Sequence, residues 1–101
     1  MQTENAPITA ESCVVRGTNS RKGRTRSIAP GTTAARHLHY GRIIMDSGDE
    51  LIRFSTDEHE TSLICLKGSA TVSVDGTAYE LGHYDSLYIP RDCEAEVAPR
   101  S

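Results

Sequence analysis

Four histidines, a set of carboxylates, several arginines and three cysteines are the residues of this sequence equipped to do chemistry. His37 and His39 stand two apart. On a strand, that spacing puts both imidazoles on one face, because strand side chains alternate between faces, and two imidazoles on one face can share a metal ion. His59 precedes Glu60, and His83 follows Gly82. A rearranged site drawn from His37, His39 and one of His59 or His83 would suit zinc, iron or nickel; the same spacing also describes ordinary same-face neighbours. Glu60 is a general base if it stands in a pocket and a solvated carboxylate if the charged run Asp57–Glu60 is a surface loop. Arg42 and Arg53 are suited to clamp a carboxylate with paired N–H groups, or simply to point outward from a strand. Cys65 lies in an apolar run, which favours a buried structural thiol over a nucleophile, since a nucleophile needs exposure and an activating base. The pocket candidates are therefore His37, His39, Arg53 and Glu60, with no catalytic residue and no metal ligand assigned.

Strands must position these residues, because the apolar pattern is short and alternating. Thr61–Leu66 is a β-branched and apolar run that stops at Lys67-Gly68. In Thr71–Val74, Val72 and Val74 share one face and Thr71 and Ser73 the other. Asp75-Gly76 then predicts a tight hairpin turn, which needs positive φ at both central residues. Thr77–Leu81 returns, Gly82–Asp85 turns, and Ser86–Ile89 runs to Pro90. Upstream, His37–Met45 and Glu50–Ser55 read as strands. Cys93–Val97 reads as a last strand with Cys93, Ala95 and Val97 on one face, and Cys13–Val15 as a short first one. Residues 1–12 read as a mobile polar arm and 13–101 as a single domain. Arg16, Arg21, Lys22, Arg24 and Arg26 crowd one Gly-rich segment, either a phosphate or carboxylate site or a solvated surface loop. Seven or eight strands and no demanded helix make the fold class all-β, a jelly roll or small antiparallel barrel.

Composition narrows the function classes. A net charge of −3 gives no case for a nucleic-acid partner, and one Phe with no Trp leaves little to stack on bases. No run approaches the roughly 18 apolar residues of a membrane span, and no apolar segment follows Met1. Three cysteines, an odd number without zinc spacing, fit reduced thiols and a cytoplasmic protein. Open strand edges in so small a domain predict homo-oligomers.

The ordered set Val72, Val74, Asp75, Gly76, Tyr79, Glu80, Gly82, Asp85, Leu87 and Tyr88 resembles the Gly-flanked hairpins of cupins. More closely, it is similar to the amino-terminal half of the KduI/IolB family of uronate ketol-isomerases. Arg42, Gly48, Asp49, Glu60, Leu63 and Gly68 extend the likeness to about 60 residues. The resemblance implies a cupin-like jelly roll from an enzyme of carbohydrate catabolism that interconverts aldose and ketose forms of deoxy-uronic acids. It also implies zinc or another divalent metal, held by three His and a Glu in the carboxy-terminal cupin. That half is expected to be absent from this chain. Placed on the cupin pattern, the paired-His positions fall near Ser55 and Asp57, the Glu position near Thr61 and the third His near Ala95, so the usual ligand set is missing. The implied role is a metal-free structural and oligomer-forming half with no cofactor of its own. The alternative is a stand-alone small cupin that binds a sugar acid or a metal.

Overall fold

The structure is a computed structural model that describes residues 9–100. The chain divides into two compact units, Met1–Ile44 and Met45–Ser101, so the boundary falls inside the 13–101 stretch expected as one domain. Of the expected amino-terminal arm, residues 1–8 lie outside the described residues. The units differ sharply in charge: the first carries seven Lys and Arg against two acidic residues, the second four against twelve.

The first unit holds the short helix α1 (Ala10–Cys13) and a two-stranded antiparallel ladder, β1 (Gly23–Ile28) with β2 (Tyr40–Ile44). Cys13–Val15 is thus not a strand. Thr9 Oγ1 accepts from Ser12 N at 3.1 Å and Ser12 Oγ accepts from Thr9 N at 3.2 Å, a reciprocal cap that closes one helical turn instead. The basic segment is only partly a loop: its second half is β1, with Arg24 and Arg26 exposed and Thr25 and Ser27, alternating with them, half-buried. Polar side chains do not prevent pairing when β2 meets the backbone hydrogen bonds. Gly41 is required for that pairing, because a Cβ there would run into the Thr25 carbonyl oxygen and stand 2.9 Å from Arg26 Cα. The second strand begins only at Tyr40, since the Ala29 carbonyl accepts from the backbone N–H groups of both Thr32 and Thr33, turning the chain before it can pair. His37 and His39 therefore precede the strand and do not share a strand face.

The second unit carries the expected meander. Its strands are β3 (Ile52–Ser55), β4 (Thr61–Ile64), β5 (Ala70–Val74), β6 (Thr77–Leu81), β7 (Ser86–Ile89) and β8 (Glu94–Pro99). They form a four-stranded antiparallel sheet of order β3-β8-β5-β6 and an antiparallel pair β4-β7. Among the described residues the ladders do not close into a barrel: β3 and β6 remain edges, and strands of four to six residues leave β4-β7 as a separate ladder. The architecture is mostly β and antiparallel, with α1 the one helix among the described residues. Asp75 (φ 47°) and Gly76 (φ 90°) make the two-residue turn between β5 and β6, both in the left-handed region as that hairpin demands.

Alternation sorts the faces. Across the register Ile52–Val97–Val72 and Phe54–Ala95–Val74, the inward side chains are apolar, while Arg53, Glu96 and Ser73 share the outward side. On the smaller ladder Thr61 pairs with Ile89 and Leu63 with Leu87 on the inward side; Ser62 and Tyr88 face out. Phe54, Val72, Leu81, Ile89, Ala95 and Val97 are buried, Ile89 and Ala95 completely. One buried polar residue accompanies them. Thr56, 4% exposed, donates through Oγ1 to Pro90 O at 2.8 Å and accepts from Cys93 N at 3.0 Å, while its own N–H donates to Cys93 O at 2.9 Å. These bonds tie the end of β3 to the segment that joins β7 to β8.

Replacing Thr56 by Val keeps the shape and removes the hydroxyl, leaving the Pro90 carbonyl and the Cys93 N–H without their partner. Urea denaturation is expected to show a loss of about 1–3 kcal/mol, with Thr56→Ser restoring most of it. A Val variant as stable as the parent would show that the hydroxyl bridge contributes nothing.

Candidate functional site

The candidate residues from the sequence are dispersed. His37 and His39 belong to the first unit, His37 exposed and His39 half-buried. Arg53 and Glu60 belong to the second, where they stand on the outward sides of different sheets. Arg53 is on β3, and its alternation with buried Phe54 sends it outward. There Nε reaches Glu96 Oε2 at 2.8 Å and Nη2 reaches the same oxygen at 2.6 Å, with the Arg53 side chain 64% exposed. A guanidinium engaged with Glu96 across the ladder is an ordinary cross-strand pair, of small net value at such exposure.

Glu60 lies just before β4, and its Oε1 accepts from the Tyr88 hydroxyl at 2.8 Å. Tyr88 faces outward because its neighbours Leu87 and Ile89 face the core. The carboxylate raises the Tyr88 phenol above its ordinary 10.0, first by accepting its proton in a hydrogen bond, then through partial desolvation and like-charge repulsion with the phenolate. This pair was not legible in the sequence: the two residues are 28 apart and meet only through the β4-β7 register.

The other nucleophiles and ligands are no more convergent. Partial burial, followed by the Asp75 carboxylate, pushes the Cys93 thiol up, away from the thiolate needed for attack. Cys65 Sγ donates to the carbonyls of Gly68 at 3.4 Å and Lys67 at 3.7 Å, a local turn contact. His83 stacks on Tyr84 with centroids 4.0 Å apart. Among the described residues no three His, Cys, Asp or Glu side chains come together as a metal-binding group. The inward positions of the second unit, from which a cupin-type centre would draw its ligands, hold aliphatic and aromatic side chains and threonine. This donor set does not fit zinc or any comparable divalent ion.

The chain is similar in part to ketol-isomerases of a uronate. It is 33% identical over 46 residues to the 4-deoxy-L-threo-5-hexosulose-uronate ketol-isomerase of Shigella boydii serotype 18, a match covering 46% of this chain and 17% of that protein. The enzyme of the same name from Escherichia coli strain HS matches equally, at 33% over 46 residues, with 16% of its length covered. The matched stretch thus spans about a sixth of these relatives. No family model matches the chain, and no solved structure matches it significantly. No helix among the described residues is long and apolar enough to cross a membrane.

The Glu60–Tyr88 contact makes a directional pH prediction. A phenol whose folded pKa is raised contributes stability that is fully present below its unfolded value and is lost as pH rises through the higher folded value. Glu60→Gln removes the anion, so ultraviolet difference titration against a Tyr88→Phe reference should show the Tyr88 midpoint falling back toward 10.0. An unchanged midpoint would show that Glu60 is not what holds the phenol proton.

Proposed function

We propose that this chain is a cupin-like β module of the uronate ketol-isomerase type that serves structure and assembly, not the isomerisation itself. The observation that carries this reading is the content of the second unit's interior. Among the described residues, its inward positions hold Phe54, Val72, Ala95, Val97, Ile89 and Thr61, none of them an ordinary metal ligand. The strand order, the Asp75-Gly76 hairpin and the partial likeness to the isomerases support the same assignment. In an enzyme of that type, the aldose–ketose proton shift requires polarised oxygens and a base beside the substrate. The residues described above supply neither.

An assembling role is supported by what the second unit leaves uncovered. β3 and β6 are open edges of the larger sheet. On the β4-β7 side, Ile64 (56% exposed), Leu66, Tyr84 and Tyr88 present apolar surface. An open edge and exposed apolar side chains favour pairing with a second surface. Homo-oligomers formed in this way, in a reducing cytoplasm where three unpaired thiols persist, complete the reading.

Two outcomes test it together. The purified chain should show no conversion of the deoxy-hexosulose-uronate that its relatives isomerise, and light scattering should give a mass that is a multiple of 11.0 kDa. Ile64→Asp should shift that mass toward the monomer. Turnover by the chain alone would overturn the structural role; a monomer for the parent protein would overturn the assembling one.

A further inference from the structure

We propose that the first unit carries a binding site for a small oxyanion, a phosphate or carboxylate group, formed by Arg16, Arg21 and Arg26. This site lies outside the second unit and does not depend on the isomerase-type reading. A cavity of about 260 Å³ opens in this unit, and all three arginines line it together with the hydroxyl-bearing Thr18, Ser20 and Thr25. The fold brings them together from two places. Gly17, at φ 66°, starts a tight turn in which Ser20 N and Ser20 Oγ both donate to Gly17 O, at 3.1 and 2.6 Å. That turn lays Arg16 and Arg21 beside β1, where strand alternation exposes Arg26.

The chemistry of the cleft is cationic and uncompensated. None of the three arginines makes a side-chain hydrogen bond or ion pair among the described residues, and the unit holds seven basic side chains against two acidic ones. Twelve of the fourteen carboxylates belong to the other unit's sequence. Across the ladder from Thr25 stands Arg42, whose Nε is buried with no acceptor among the described residues. Guanidiniums offer paired N–H donors that match the oxygens of phosphate and carboxylate, and nearby hydroxyls supply further donors. The volume is below the about 300–1,000 Å³ of sites for drug-sized ligands, which selects a small anion over a nucleotide. A local basic cleft in a chain of net charge −3 also concentrates such an anion at one place without making the whole protein a polyanion binder.

The test is calorimetric titration of the full chain with inorganic phosphate and, separately, D-galacturonate. One site per chain is expected for at least one probe, with affinity falling as sodium chloride is added. Arg21→Gln and Arg26→Gln should each weaken binding about three- to tenfold, and the double variant should abolish it. Arg21→Lys should recover part of the loss. Arg36→Gln, exposed in the same unit but not lining the cleft, should change affinity by less than about twofold. All these positions are exposed, and unchanged circular dichroism will confirm that the variants fold. Binding of phosphate alone assigns a phosphate group, and binding of galacturonate alone a sugar carboxylate. The proposal is overturned if neither probe binds saturably up to about 10 mM, or if Arg36→Gln weakens binding as much as Arg21→Gln. It is also overturned if a single-stranded oligonucleotide binds a hundredfold tighter than either probe, which would make the cluster a polyanion surface.

Discussion

The buried hydroxyl of Thr56 is the contact on which the second unit most depends. A hairpin meander needs only its turns, but the order β3-β8-β5-β6 requires β8 to come back between β3 and β5 after the chain has left for the β4-β7 ladder. The Pro90–Cys93 segment makes that return, and its Pro90 carbonyl and Cys93 N–H find their partner in the buried Thr56 hydroxyl. Thr56 meets both with one side chain, and its backbone N–H adds a third bond to Cys93 O. Asp92 N donates to Asp57 O at 2.8 Å just beyond, extending the same clasp. Once that crossing is fixed, Ala95 and Val97 face inward beside Val72 and Phe54, and the interior becomes apolar by register alone.

An interior built in this way offers a divalent metal no ordinary ligand. Ligands would have to replace side chains such as Val72, Ala95 or Ile89, which are at most 1% exposed, and each replacement would desolvate a polar group in a small core. The polar residues are sorted to the outside instead. Arg53 pairs with Glu96, Glu80 accepts from Thr71 and Arg100, and Glu60 holds the Tyr88 hydroxyl. The contrast in charge between the units follows the same logic, with acidic side chains on the outward sheet faces of one and an arginine-lined cleft in the other.

Strands from Ala70 to Ile89 were legible almost to the residue, because Val72 and Val74 alternate cleanly and Asp75-Gly76 permits only a tight hairpin. The inward facing of Ala95 and Val97 was legible for the same reason. Before Met45, only Tyr40–Ile44 was legible, inside the expected strand His37–Met45. Gly23–Ile28 is a strand of arginine, threonine and serine whose pairing is dictated by β2 and by the missing side chain of Gly41, neither of which hydrophobic period reveals. His37 and His39 looked like strand neighbours because Leu38 and Tyr40 are apolar, yet the Ala29 turn delays pairing until Tyr40. Thr56 was invisible, since one threonine beside a charged loop carries no signal of burial. The basic cluster was visible as composition, but the turn at Gly17 that folds it around a cavity was not.

Transition-metal content tests most directly whether the described side chains, which bring no three His, Cys, Asp or Glu together, leave the protein without a metal centre. Protein purified without chelator or metal-affinity tag should contain far less than one zinc, iron, manganese or nickel per chain. About one metal per chain, lost when His37 and His39 are changed to alanine, would contradict the account and return the chain to the metal-dependent enzymes.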